Sequence, residues 1–131
     1  MFILVENIFI KLDGLISIYL DFYTPIMENE VASAEISETD KILHIGCGPI
    51  PATSIYIVQK TNAEVTGIDK NLKFVKKAET LVSKLKLDSK IHIIHSNALN
   101  FSLEKFDLII VSLGVISFEE VIKYISKNMK S

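Results

Sequence analysis

The run FDLIIVSLG, Phe106 to Gly114, narrows the fold more than any other segment. Its apolar residues are consecutive rather than alternating, as expected of a strand covered on both faces. Such strands belong to parallel sheets flanked by helices. The neighbouring segments supply the remaining elements. ILHI (Ile42–Ile45) is short, apolar and β-prone, and it runs straight into glycines. Pro51 to Lys60 reads as a helix, and AEVTGID (Ala63–Asp69) as a second strand ending in an acid. From Asn71 to Leu87, residues Leu72, Val75, Ala78, Leu81, Val82 and Leu85 recur on one helical face, with lysines opposite. KIHIIHSN (Lys90–Asn97) is a third strand, Phe106–Gly114 the fourth, and Phe118 to Met129 a closing helix. This alternation predicts an α/β domain with a parallel sheet and helices on both faces.

Upstream, Leu15, Ile16, Ile18, Tyr19, Phe22, Tyr23, Ile26 and Met27 repeat at helical spacing. They predict a helix over much of Ser17 to Ile36, kinked or restarted at Pro25. The earlier VENIFI fits a short strand or a helical turn equally well. The chain of 131 residues is therefore expected to be one domain, with an N-terminal helical arm (1–40) and an α/β core (41–131).

Charge excludes some partners. The formal net charge is −2 and all 14 basic residues are lysine. Without arginine there is no bidentate clamp for phosphates or base edges, so no nucleic-acid partner is expected. Glu6, Lys11, Asp13 and Asp21 interrupt the apolar N-terminus well short of a bilayer-spanning run, so no membrane partner is expected either. Cys47 is the one cysteine; an internal disulfide is impossible, and a cytoplasmic setting is expected. No Cys/His cluster stands at metal-ligand spacing.

The chemistry concentrates at HIGCGPIP. Gly46 and Gly48 let the backbone turn tightly at the carboxyl end of the first core strand, where doubly wound sheets hold ligands. Pro51 suits the first turn of the next helix, whose free N–H groups face the same way. Pro49 and Pro51 argue against the glycine-lined pyrophosphate site of a dinucleotide fold. Asp69 ends the second strand, 21 residues after Gly48. Its carboxylate either accepts two hydrogen bonds from a ribose diol or caps the helix beginning near Asn71. Asn97, Ala98 and Leu99 follow the third strand and would flank an adenine, with the Asn97 amide as donor or acceptor and Leu99 as apolar cover. Ser112, Leu113 and Gly114 follow the fourth, as far-side lining or as ordinary loop caps. Lys70 lies beside the ribose or in solvent. Cys47 is expected in the turn for its small side chain. His44, His92 and His95 lie within strands and are expected to be packed or edge residues, not bases.

Together, ILHIGCG, VTGIDKN, IHIIHSNALNF and FDLIIVSLG resemble the class I S-adenosylmethionine-dependent methyltransferase core. That resemblance implies a Rossmann-like fold with S-adenosylmethionine as the donor, held by Gly46, Cys47, Gly48, Asp69, Lys70, Asn97, Ala98, Leu99, Ser112 and Leu113. Many members carry an acid where Asn97 stands. More narrowly, HIGCGPIPATSI looks like the IGxGPLPLTS signature of nicotianamine synthases, including archaeal ones. YLDFYTPIMENEV resembles the tyrosine-rich helix ahead of it. These synthases transfer the aminobutanoyl arm of the donor to an amine and release methylthioadenosine. By that resemblance Tyr23 helps hold the donor's amino acid end or the incoming amine, and Glu30 is the acid of the NE pair. Read without it, Tyr23 is equally a packing aromatic and Glu30 a solvated helical residue. The family's N-terminal helical domain has no counterpart in the residues before Tyr19.

A class I core continues past its fourth strand and the helix behind it, whereas this chain ends at Ser131. The expected sheet therefore has four parallel strands in the order 3-2-1-4, with the fourth as an apolar open edge. Its cover is MFILV or a second copy, or the edge stays open at a cost in stability; a homodimer over the strand-four edge is the expectation. The functional expectation is aminobutanoyl transfer to a small amine or amino acid. Methyl transfer and a non-catalytic nucleoside-binding subunit are the alternatives.

Overall fold

A computed structural model describes residues 2–6, 28, 31–112 and 118–128. Strands β1 (Phe2–Glu6), β2 (Lys41–Ile45), β3 (Glu64–Asp69), β4 (Ile91–His95) and β5 (Leu108–Ser112) form one sheet. The helices are α1 (Ala52–Thr61), α2 (Leu72–Lys84) and α3 (Phe118–Asn128). Residues 31–34 form a helical turn that ends at Glu35 in a left-handed conformation (φ 52°).

The strand order is β1-β5-β2-β3-β4 and every pairing is parallel. The part from β5 to β4 is the expected 3-2-1-4 arrangement. Two apolar layers explain why it forms. Leu108 and Ile110 of β5 pack with Ile42, Val65, Ile55 and Val82 on the side of α1 and α2. Ile109 and Val111 pack with Leu43, Ile45, Val121 and Ile125 on the side of α3. Consecutive residues of β5 thus enter opposite layers, which is why its sequence is apolar without alternation. α1 is buried from Ala52 to Val58, because Val31, Ala34 and Ile36 join the layer in which it lies. Within that layer burial raises the pKa of the Tyr56 phenol, and the charge of Glu28 adds to the effect.

α2 shows a narrower stripe than its sequence suggests. Val75, Ala78, Leu81 and Val82 are buried, while Leu72 and Leu85 at its ends are exposed. Asn71 caps the start: its side-chain oxygen accepts the N–H groups of Lys73 (3.0 Å) and Phe74 (3.3 Å). Left-handed Lys86 (φ 59°) closes the other end, with Leu87 N–H donating to the Val82 carbonyl at 3.0 Å.

Two expectations change. The arm 1–40 is not helical from its start, because residues 2–6 form a strand. The edge of β5 is not open, because β1 fills it in parallel register from Phe2↔Leu108 to Glu6↔Ser112. The stated ground for a homodimer over that edge is therefore removed. The physical reason is that a covalently attached strand reaches the edge without the translational entropy loss of association, at only a slowly growing loop-closure cost.

At the opposite end of the strands, Glu64 forms an ion pair with Lys41 and a hydrogen bond with His92, the latter at 2.8 Å. Hydrogen bonds from Lys41, then from His92, lower the Glu64 pKa below its usual 4.5. The native carboxylate thus holds its proton less tightly than the unfolded one. Its contribution is complete above pH 4.5 and is lost as pH falls through the lowered native value. The group is 38 % exposed, so Glu64→Gln should cost only about 0.5 kcal/mol at pH 7. Urea unfolding at pH 7 and pH 3 should show that difference shrinking at the acid value.

Candidate functional site

The carboxyl ends of β2, β3, β4 and β5 lie side by side, and the glycine turn leaves β2 among them. Both glycines adopt left-handed backbone conformations, Gly46 with φ 74° and Gly48 with φ 71°. Side chains rarely take this conformation, which accounts for the glycines. The N–H groups of Gly46 and Cys47 donate to the Ile68 carbonyl at 2.9 and 3.1 Å, folding the turn back over the end of β3.

Asp69 meets that turn. Its Oδ2 accepts the Gly48 N–H at 3.1 Å and its Oδ1 accepts the Asn71 N–H at 2.9 Å. One carboxylate thus bridges the glycine turn and the chain entering α2. It faces the glycines, and it also holds the chain entering α2, although the cap proper is Asn71. Asp69 is only partly buried. An ionised carboxylate offers about four lone-pair directions, so two N–H groups leave capacity for further donors. A Cβ placed on Gly48 would meet no atom within 4 Å beyond its chain neighbours. Ile50 and Pro51 are buried beneath the turn. Pro51 sits at the N-cap of α1, one position earlier than expected, where its carbonyl accepts the Ile55 N–H at 3.0 Å.

The β4 end is tied to the same carboxylate residue. Ser96 N–H donates to the Asp69 carbonyl at 3.1 Å, and His95 Nε2 lies 3.0 Å from the Lys70 carbonyl. Asn97 Oδ1 accepts the Leu99 N–H at 3.0 Å and caps a short 3₁₀ turn, Ala98–Asn100. That bond orients the amide, so its NH₂ end is the group Asn97 offers elsewhere. Ala98 is buried, and Leu99 is half-buried against the layer of α3. Ser112 is buried at the end of β5, and Lys70 is exposed at the rim. Tyr23, Glu30, Leu113 and Gly114 lie outside the described residues.

Cys47 is 4 % exposed and its side chain packs against β3. The residue that permits this is Gly67. A Cβ there would stand 3.1 Å from Cys47 Cβ and from Ile93 Cδ1, and 3.2 Å from Cys47 Sγ. The available signal was a lone glycine inside the apolar strand EVTGID, which marks a close approach of chain segments. Gly67→Ala should push the turn away from β3 and destabilise the fold by about 1–2 kcal/mol. A guanidinium unfolding midpoint below that of the wild type checks this, and Cys47→Ala in the same chain should recover part of the loss.

The histidines are structural in their contacts. His44 is buried against Ser54, His92 pairs with Glu64, and His95 meets a backbone carbonyl. Among the described residues no group of three His, Cys, Asp or Glu side chains converges as a metal site, and no helix is long and apolar enough to cross a membrane.

A family model described as a methyltransferase domain matches residues 42–131. The chain belongs to that methyltransferase domain family. Several solved structures share its fold. MtNAS, a nicotianamine synthase solved with MTA and tNA, superposes with a TM-score of 0.80 at 20 % identity. The match covers 88 % of this chain and 44 % of MtNAS. A point mutant of MtNAS in complex with S-adenosylmethionine gives a TM-score of 0.78 at 17 % identity, over 90 % of this chain and 48 % of that one. An RNA methyltransferase from Salinibacter ruber, solved with S-adenosyl-L-homocysteine, gives 0.73 at 15 % identity, over 81 % of this chain and 69 % of its own. No curated protein matches. The methyltransferase domain thus spans less than half the length of MtNAS, and at these identities the likeness establishes fold alone.

Proposed function

We propose that this methyltransferase domain binds S-adenosylmethionine over the glycine turn and serves a group transfer to a small amine or amino acid. The observation that carries the reading is the Gly48–Asp69 hydrogen bond beside the open space above Gly48. Asp69 would accept the two ribose hydroxyls, and Gly48 would let the nucleoside approach the backbone. Ala98, Leu99 and the Asn97 amide would flank the base. Ser112 and Leu113 would line the far side, with Lys70 at the rim. The solved neighbours with S-adenosylmethionine and S-adenosyl-L-homocysteine support that choice of donor. A lone, buried cysteine suits a cytoplasmic setting.

When bound, the donor supplies a sulfonium whose neighbouring carbons are open to displacement. The domain's own task is placement: attack must be in line with the departing sulfur, in a site from which water is excluded. The GPIP turn and the MtNAS fold match favour transfer of the aminobutanoyl arm, with Tyr23 and Glu30 on the amine side. The family model over residues 42–131 favours methyl transfer as the second reading. Incubation with S-adenosylmethionine and a panel of amines and amino acids separates them. Methylthioadenosine release is the expected product, and S-adenosylhomocysteine would establish methyl transfer instead. Tight binding without turnover would leave a nucleoside-binding subunit. No binding of either adenosyl sulfur compound in titration calorimetry would end the donor-site reading.

A further inference from the structure

One polar pair interrupts the apolar layer beneath the glycine turn. His44 is 1 % exposed and Ser54 is 0 % exposed, and His44 Nδ1 lies 2.7 Å from Ser54 Oγ. Burying such groups is costly unless they are hydrogen-bonded, and two apolar side chains would fill the same layer more simply. The pair also joins particular places. His44 stands on β2 two residues before Gly46, and Ser54 lies in the first turn of α1.

α1 begins at a proline. Its N-cap is Pro51, no side chain caps it, and its first turn has no acidic residue. Several contacts hold the segment from Gly46 to Ser54. Gly46 and Cys47 hold the Ile68 carbonyl, Gly48 holds Asp69, and Ser54 holds His44. Pro49 and Pro51 stand between the Gly48 and Ser54 contacts. Their rings restrict φ to about −65°, so this stretch has little freedom to absorb a displacement at either end. A shift of the first turn of α1 should therefore be passed to Gly48.

We infer that His44 and Ser54 are positioning residues for the donor site. Their bond fixes the first turn of α1, and through the rigid Pro49–Pro51 stretch it sets the height of the Gly48 N–H against the Asp69 carboxylate. This rests on the donor-site reading above, and neither residue is assigned contact with the donor.

The test compares Ser54→Ala, which removes the hydroxyl, with Ser54→Thr, which keeps it. Hydrogen exchange of the Gly48 amide is measured in the free protein, and S-adenosylmethionine affinity by calorimetry. Ser54→Ala should speed Gly48 exchange and weaken binding about fivefold, the worth of one ordinary hydrogen bond. Ser54→Thr should stay within about twofold of the wild type, a margin below one such bond. Combined with Asp69→Asn, the Ser54→Ala loss should be less than additive, because both act on one contact. A Ser54→Ala protein with a lowered melting temperature but wild-type exchange and affinity would overturn the inference and leave a packing pair. If the wild type binds no S-adenosylmethionine, the donor reading fails separately, and Gly48 exchange still decides whether the pair positions the turn. Should Ser54→Ala not fold, His44→Asn, which keeps a polar atom near the Nδ1 position, takes the place of Ser54→Thr, and His44→Leu that of Ser54→Ala.

Discussion

Asp69→Ala should reduce S-adenosylmethionine affinity about a hundredfold. The proposed site asks this carboxylate to accept two ribose hydroxyls, and hydrogen bonds to a charged group contribute about 1.5–3 kcal/mol each. Loss of both amounts to at least about 3 kcal/mol, which is roughly two decades in Kd. Removing the side chain also strips the acceptors of the Gly48 and Asn71 N–H groups. The free protein should therefore lose about 1–2 kcal/mol of stability as well. Asp69→Asn keeps one acceptor oxygen and should fall between, at about tenfold. Methylthioadenosine carries the same ribose, so its affinity should drop in parallel. Calorimetry at a temperature where the variants remain folded separates binding from stability. An Asp69→Ala protein that binds within threefold of the wild type would show that the ribose lies elsewhere.

The second large effect concerns assembly. Deleting residues 1–6 should turn the chain into a self-associating species. All five residues of β5 are buried, and β1 supplies the partner on one of its two edges. Without β1 an apolar strand presents a row of unpaired N–H and carbonyl groups, a template for another chain. The pairing lost spans five register positions, so a stability loss on the order of 3 kcal/mol is expected from backbone bonds alone. Sedimentation velocity should show dimers or larger species for residues 7–131 at concentrations where the full chain shows none. Identical sedimentation of the two would mean that β1 does not cover this edge.

These two experiments test different kinds of knowledge. Asp69 was legible in the sequence because its position follows from local rules. A β-prone run ends in an acid, a helix follows, and sheet topology puts that acid beside the preceding glycine turn. The glycines were legible for a similar reason, since tight turns demand left-handed backbone conformations that glycine takes readily. The β5 run announced its burial on both faces. The side chains that make the turn stiff were less visible. Gly67 matters because of Cys47, a contact across strands separated by a helix. His44 matters because of Ser54, ten residues away across the β2–α1 connection. Asn97 stood as a donor or an acceptor until the Leu99 N–H claimed its oxygen.

The sequence by itself determined the element types of the core from residue 41 onward, the strand-end acid, the glycine turn and the core strand order, because periodicity and backbone preference act over a few residues. Only the tertiary structure decided what fills the β5 edge, because several segments had the right local character. MFILV and a second copy of the chain were both adequate strands on paper. The choice falls to the attached one because tethering reduces the entropy lost on pairing, a quantity that no local pattern of residues records.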